Sequence, residues 1–434
     1  MRKNKYIYVV ELDDKHQVLF NGLNRDFLII ANRAVSSFLE LLNFPYKYLN
    51  SHPSIIENLK SRGFIIEDDF DERALLKHKR EEFIWAKEYK TTILPTFECN
   101  YNCWYCIQKH EPVVIDKSKI NLIVKHVKKY LVENHIESYI LSWFGGEPLT
   151  QPEIIDYVSR DLKQFCQSHK IEYSGAVTTN GALLSMSTIE MLKENGIDFY
   201  QIAIDGDEHA HNHNKKDEHA ASSFALILTN IVNLLRHNQK ADVVLRLNYT
   251  IATLKSKNLI NDINKYIPTS YRSRIVVDLQ KVWQVNEKNV PMSLLVNLQK
   301  ALVASGFTLS TEHVFSMCYV EKEHYNMFYY NGGVEKCDKR PIEKLRGHLD
   351  EEGNIVWNEK PMFADYDLFD ERCICNNCLY YPLCYCGCPI EREDVIRENH
   401  GKIICSHKGK YGLLMLRIQD YCWRVINNKK IRLE

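Results

Sequence analysis

Residues 91–106 read TTILPTFECNYNCWYC. The apolar run at 92–94 is a strand signal, and directly after it Cys99, Cys103 and Cys106 form a C-x3-C-x2-C loop. Three thiolates in one short loop hold three irons of a four-iron, four-sulfur cluster and leave the fourth iron open to a ligand. An open iron is a reaction site. The competing reading is zinc, which in a structural site takes four protein ligands and would need one more than this loop supplies.

Outward from that strand, further strand signals occur at 139–144, 175–178, 199–204, 243–249 and 275–279. Between them, helical periodicity appears at 120–132, 154–166, 189–194, 225–235 and 257–266, and again at 292–304. Six strand–helix pairs in succession predict a partial (β/α)6 TIM-like barrel, an α/β fold whose chemistry belongs at the C-terminal ends of its strands. Residues 1–85 run strands, helices, then the strand-like Phe64-Ile65-Ile66, an order that resembles a small winged-helix unit. The charged stretch 67–90 has little apolar periodicity beyond Leu75 and Leu76 and reads as a linker or solvated helix. Three domains are therefore expected: 1–85, 91–307 and 310–434.

The last of these is cysteine-rich. Of 14 cysteines in the chain, Cys318, Cys337, Cys373, Cys375, Cys378, Cys384, Cys386, Cys388, Cys405 and Cys422 lie beyond residue 310. Before a closing helix expected at 411–426, apolar periodicity is too sparse for a self-sufficient core, so ligated metal is expected to organise the segment. Cys166 and Cys422 lie among apolar neighbours on expected helices and read as packing residues. Tyr319, Tyr325, Phe328, Tyr329 and Tyr330 read as core, and His209, His211 and His213 as a surface loop. Lysine plus arginine and aspartate plus glutamate both total 56, so no bulk field draws the chain to nucleic acid or an anionic membrane. No run approaches the roughly 18 apolar residues that cross a bilayer, and the N-terminus turns acidic too early for a signal peptide. The expected location is cytoplasmic.

The cysteine loop, with the aromatic Tyr105 before its last cysteine, resembles the signature of radical S-adenosylmethionine (SAM) enzymes. Gly145-Gly146-Glu147-Pro148 resembles the GGEP motif of that family, in which glycines admit the ligand and Glu147 would accept from the SAM ammonium. Thr179-Asn180-Gly181 resembles the family's TNG stretch near the SAM ribose, and Asp205-Gly206 its D-G element. Where many relatives then carry an arginine for the SAM carboxylate, this chain has Lys215, which keeps the charge but not the bidentate fork. Arg246 and Asn248 are further candidates for that contact.

Cys318, Gly332 and Cys337 (C-x13-G-x4-C), followed by Cys375, Cys378, Cys384 and Cys388 (C-x2-C-x5-C-x3-C) and then Cys405, resemble the SPASM extension of radical SAM peptide-modifying enzymes. The resemblance implies two auxiliary clusters, one held by Cys375, Cys378, Cys384 and Cys405 and one by Cys318, Cys337 and Cys388. Relatives place a further cysteine where this chain has His324, which leaves His324, Cys373, Cys386 or no protein group as the fourth ligand. Zinc ribbons are the alternative for the C-x2-C spacing. The implied cofactors are SAM and three 4Fe-4S clusters, and the implied partners are a precursor peptide and an external electron donor such as flavodoxin or ferredoxin. The segments at 331–340 and 347–358 look most like maturases of ribosomally made, post-translationally modified peptides, with residues 1–85 as a leader-peptide recognition domain. Asp338, beside Cys337, is the candidate general base. The rival readings are an anaerobic sulfatase-maturating enzyme and, from another class, a non-catalytic iron–sulfur or zinc-binding interaction protein.

Overall fold

Strands Glu88–Leu94, Ser138–Trp143, Glu172–Thr179, Ile197–Asp205, Asp242–Tyr249 and Ile275–Lys281 pair in that order, all parallel. In a computed structural model, the chain is described except at residues 218, 287–289, 313, 362–366, 372, 400–404, 406–410, 432 and 434. Helices Lys117–Glu133, Pro152–Ser168, Met186–Glu194, Ser223–His237 and Leu259–Tyr266 fill the crossovers, as the alternating periodicity predicts. The two-residue alternation of strand side chains sets the division of labour. Ile202, Ile204, Leu245, Leu247, Val277 and Leu279 belong to the apolar core. The intervening Asp205, Arg246, Asn248 and Asp278 fall on the other face of the sheet. Cys166 is wholly buried in that core, on the face of its helix that carries Ile155, Val158 and Leu162.

Among the described residues, the sheet runs on past the six predicted strands to eleven. Thr308–Leu309 extends one edge, while Tyr325–Tyr329 pairs in parallel with Glu88–Leu94 on the other side. Antiparallel strands Gly333–Glu335, Gly347–Leu349 and Ile355–Trp357 then follow. Tyr325, Phe328 and Tyr329 are core residues here, whereas Tyr319 is exposed. Residues 324–361 cluster with 87–310 as one compact unit.

Residues 1–86, 311–323 and 362–434 form the other unit. Its N-terminal part is an antiparallel sheet of Ile7–Glu11, His16–Asn21 and Phe27–Ala31. Helices Val35–Asn43 and Pro53–Ser61 follow, and Ile65–Ile66 returns to pair with Arg2–Lys3. The middle strand's Phe20 packs against Phe315 and Tyr421. Tyr421 and Trp423 lie on the closing helix Tyr411–Asn428, and the Trp423 indole donates to the Leu12 carbonyl at 3.3 Å. Cys422 is wholly buried on the same helix.

The charged stretch 67–90 is a helix, Glu72–Ile84, but not a solvated one. Asp71 caps it by accepting from the Arg73 and Ala74 amides, and Glu72, Leu76, Arg80 and Ile84 are buried along one side. Charge on that side hid it from an apolar count. Glu72 accepts from Arg2 at 2.8 Å and from the Lys5 amide at 2.7 Å, and Arg80 donates to Glu321 at 2.7 Å. Among the described residues, no helix is long and apolar enough to cross a membrane.

Candidate active site

The cysteine loop leaves strand Glu88–Leu94 at its C-terminal end, beside the ends of the next two strands. Gly146 donates its amide to the Thr96 carbonyl at 3.1 Å and Glu147 donates to Glu98 at 2.8 Å. A Cβ on Gly146 would stand 2.2 Å from the Glu98 carbonyl oxygen, and one on Gly145, whose φ is +122°, 2.5 Å from that of Thr96. The two glycines therefore let strand end and loop backbone meet. The neighbour that both glycines meet is the polypeptide preceding Cys99.

Glu147 has no solvent exposure. Its Oε1 accepts from the Leu149 amide at 3.0 Å and the Thr179 hydroxyl at 2.7 Å, and its Oε2 from the Asn180 amide at 2.7 Å. Burial pushes this carboxyl up to about 7, against the pull of those three donors and of Lys215. Three donors occupy three of about four lone-pair sites, and among the described residues no hydrogen bond is recorded to the remaining site on Oε2. The Asn180 side chain turns to the loop, donating to Asn100 at 2.7 Å with the Cys99 sulfur at 3.9 Å.

A second network gathers at the end of strand Ile197–Asp205. Asp205 accepts from the Tyr105 hydroxyl at 2.7 Å and from the Asn248 amide group at 2.9 Å, and the Lys215 ammonium lies 3.4 Å away. Burial works against the Asp205 carboxylate, but Lys215, His211, Tyr105 and Asn248 together hold its pKa below the ordinary value. Lys215 is itself buried and donates to the Ala203 carbonyl at 2.7 Å, so its charge is turned inward.

The alternating histidines, expected on a surface loop, lie on helix Glu208–Asn214, and His211 is fully buried. Its Nδ1 accepts from the Asp205 amide at 3.1 Å, and burial lowers its pKa to about 3, so the ring is neutral. The reason is helical spacing, which brings every other histidine of an H-x-H-x-H run to a different face.

Sequence reading missed three groups that hold the cysteine loop. The Tyr101 hydroxyl donates to Asp217 at 2.7 Å, the Trp104 indole to Asn214 at 3.1 Å, and His110 Nε2 lies 3.4 Å from the Cys106 sulfur. None belongs to a motif, and only the tertiary contact identifies them. Burial pushes the Cys99 thiol up to about 12 and raises Cys103 as well. Such thiols lose their protons to a metal rather than to water.

Residues 93–252 match the radical SAM superfamily. The chain is a radical SAM enzyme. Among curated proteins it is 22% identical over 341 residues to the cysteine-type anaerobic sulfatase-maturating enzyme of Clostridium novyi (strain NT), covering 68% of this chain and 86% of that one. Against the serine-type anaerobic sulfatase-maturating enzyme of Bacteroides thetaiotaomicron it is 25% identical over 147 residues, 32% of this chain and 34% of the other. Two solved structures share the fold. Native anSMEcpe with bound AdoMet and Cp18Cys peptide has a TM-score of 0.55 at 16% identity, over 80% of this chain and all of that one. Streptococcus suis SuiB bound to precursor peptide SuiA has a TM-score of 0.50 at 14% identity, over 93% of this chain and 98% of the other.

Elsewhere in this radical SAM enzyme, the C-terminal cysteines divide between the two units. Cys375, Cys378, Cys384, Cys386 and Cys405 line one cavity of about 270 Å³, walled by Tyr380, Tyr381 and Tyr411. Burial raises the Cys378 and Cys384 thiols, and the neighbouring thiols, Cys405 among them, raise both further. Five cysteine sulfurs on one concavity fit a thiolate-bound cluster in chemical type. Cys318 and Cys388 belong to the same unit, and the thiol of Cys318 feels that of Cys388. Cys337 is buried in the barrel unit after strand Gly333–Glu335, its sulfur 3.8 Å from Asp338 Oδ1. Burial raises the Asp338 carboxyl, against the Cys337 side chain, Lys339 and Arg246. His324 is buried in the barrel unit with its Nδ1 2.9 Å from the Tyr130 hydroxyl.

Proposed function

We propose that this radical SAM enzyme is a maturase acting on a ribosomally made precursor peptide, abstracting a hydrogen atom to install a crosslink or another oxidative modification. The observation that carries the reading is the N-terminal sheet with its helices, a folded element that SAM cleavage does not require. Its edge strand Phe27–Ala31 is apolar throughout and buries only Ile30, which suits addition of an extended peptide strand. The fold likeness to a precursor-peptide-bound enzyme over 93% of the chain supports the same reading.

When bound, the cluster at Cys99, Cys103 and Cys106 supplies the electron that cleaves SAM to methionine and a 5′-deoxyadenosyl radical, and the auxiliary clusters supply routes for electrons leaving the oxidised substrate. The protein's part is placement. Glu147 takes the SAM ammonium on its remaining Oε2 site, and Asn180 and the glycine turn at 145–146 hold the cluster loop to the strand ends. Tyr105, Asp205 and Asn248 form a polar layer at the ends of the central strands, with Lys215 as the buried counter-charge. Asp338 is the base that receives the substrate proton. Cys375, Cys378, Cys384 and Cys405 hold one auxiliary cluster, and Cys318, Cys337 and Cys388 hold the other. The electron comes from a flavodoxin or ferredoxin.

The test is co-expression with short open reading frames adjacent to the gene, followed by mass spectrometry of the peptides. A mass change that requires both SAM and Cys103 supports the reading. Formylglycine formed in a sulfatase-derived peptide, with no change in any adjacent peptide, replaces it by sulfatase maturation, which the curated relatives and the carboxylate beside Cys337 favour.

A further inference from the structure

On the strands Ile197–Asp205, Asp242–Tyr249 and Ile275–Lys281, one face is sealed and the other is not. Ile202, Leu245 and Val277, in the apolar core, have no exposure. Ala203, Val244, Arg246 and Val276, which alternate with them, all keep some. Since successive side chains point to opposite faces, the second face borders an accessible hollow rather than a packed core. Arg246 is the cation that these strands place on that face.

Its register partners are Ala203 on one side and Asp278 on the other. Ala203 presents only a methyl group, which leaves room beside the guanidinium, and the Asp278 carboxylate accepts from Gln280 at 2.8 Å. Among the described residues, the Arg246 side chain makes one hydrogen bond, from Nε to Asn248 Oδ1 at 3.3 Å, and no ion pair. Asn248 donates in turn to Asp205 at 2.9 Å. Arg246 thus extends the layer of Tyr105, Asp205 and Asn248 one residue pair deeper, and four of its five N–H donors have no protein acceptor. That planar fork matches the two oxygens of a carboxylate.

SAM and the substrate are the two sources of such a group. Glu147, the site for the SAM ammonium, lies just beyond strand Ser138–Trp143 and accepts from the Asn180 amide just beyond strand Glu172–Thr179. The ammonium and carboxylate of an α-amino acid share one carbon, so the methionine carboxylate stays beside those two strands. Arg246 stands two strands further on, with Ile197–Asp205 between. That is roughly 10 Å across the sheet at about 4.8 Å per strand, and the bond to Asn248 ties the guanidinium to its own strand. Asp338, by contrast, is within its electrostatic reach.

We infer that Arg246 is a specificity-determining residue that receives a carboxylate of the substrate peptide, carried by an aspartate or glutamate side chain or by the chain terminus near the reacting residue. The inference rests on the peptide-maturase reading above. Binding there brings that carboxylate to the neighbourhood of Asp338, so one contact selects which stretch of the peptide meets the base.

The experiment uses anaerobically reconstituted full-length enzyme and the precursor peptide identified by co-expression. Each acidic residue of the peptide core is changed in turn to its amide, and one further peptide carries an amidated C-terminus. Wild-type enzyme should lose about ten- to a hundred-fold in kcat/KM on one of these peptides. Arg246→Gln should lose as much on the unaltered peptide and be indifferent to that amide, and Arg246→Lys should recover part of the loss. A merely structural arginine would not show this coupling. Calorimetry with SAM and with decarboxylated SAM, which lacks the methionine carboxylate, supplies the second arm: the preference for SAM should be equal in wild type and Arg246→Gln. A preference that vanishes in Arg246→Gln assigns the arginine to SAM and overturns the inference. Losses that do not couple to any peptide carboxylate overturn it as well. If wild-type enzyme modifies no peptide, the maturase reading itself fails and takes the inference with it.

Discussion

Affinity for SAM should rise with pH through neutrality, and Glu147 is the reason. Its carboxyl sits at about 7 because it is fully buried, despite three donors already on it. An ammonium partner requires the carboxylate, so protonation competes with SAM. The sign follows from the raised pKa, with affinity present above about 7 and lost as pH falls through it. About a tenth of the sites are ionised at pH 6 and about three-quarters at pH 7.5, which predicts roughly eight-fold tighter binding at the higher pH. At pH 7 binding should release about half a proton. Isothermal titration calorimetry on the anaerobic, oxidised enzyme in two buffers of different ionisation enthalpy reads both quantities. Glu147→Gln keeps a carbonyl for Leu149 and Thr179 but sets an NH2 against the Asn180 amide, a clash of donors worth about 1–3 kcal/mol. That variant should bind at least ten-fold more weakly and without pH dependence. A wild-type affinity that is flat from pH 6 to 7.5, or a Glu147→Gln variant that keeps the wild-type slope, would refute the argument.

Four other outcomes are expected. The triple variant Cys99→Ala, Cys103→Ala, Cys106→Ala should lose about four irons and all 5′-deoxyadenosine production from SAM and dithionite; continued cleavage would show that the loop is not the SAM cluster site. Gly146→Ala drives a methyl group into the Glu98 carbonyl, so a stability loss of about 1–3 kcal/mol in denaturant titration is expected, together with poor incorporation of the first cluster; an unchanged midpoint would mean that the loop yields freely. Asp338→Asn should preserve SAM cleavage and reduce modified peptide by about 10²-fold, and an unchanged product yield would remove Asp338 from the reaction. Ile29→Glu, a half-buried position on the apolar edge strand, should weaken affinity for full-length precursor while leaving slow uncoupled SAM cleavage and reaction with leaderless core peptide unaltered; equal affinity would place recognition elsewhere.

Deleting residues 1–86 is a poorer test of leader binding than that single substitution. The same residues cover the C-terminal cysteine region: Tyr8 donates to the Leu379 carbonyl at 2.5 Å and stacks on Tyr380, and Phe20 packs on Phe315 and Tyr421. A truncation would therefore expose the cavity of Cys378 and Cys384 as well as removing the edge strand.

The barrel strands, their helices and the cysteine loop were legible in the sequence because their signals are local. A strand between two helix layers must be apolar over a few consecutive residues, and a cluster loop must place its thiols within one turn of chain. The placement of Glu147, Asn180 and Asp205 at or just beyond strand ends was legible for a related reason, since each lies in a short motif next to an apolar run. What depends on distant partners was not legible. The helix Glu72–Ile84 looked solvated because its buried side carries Glu72 and Arg80, whose partners Arg2 and Glu321 lie 70 residues before and 241 residues after them. His211 looked exposed because no local pattern shows that its Nδ1 meets the Asp205 amide. The sequence by itself determined the order of the parallel strands and where the cysteine loop and the GGEP, TNG and D-G stretches fall among them. Only the tertiary structure decided that residues 324–361 extend the parallel sheet and that the N-terminal sheet packs against the segment carrying the C-terminal cysteines. Those facts depend on pairing between segments hundreds of residues apart, which side-chain periodicity does not encode.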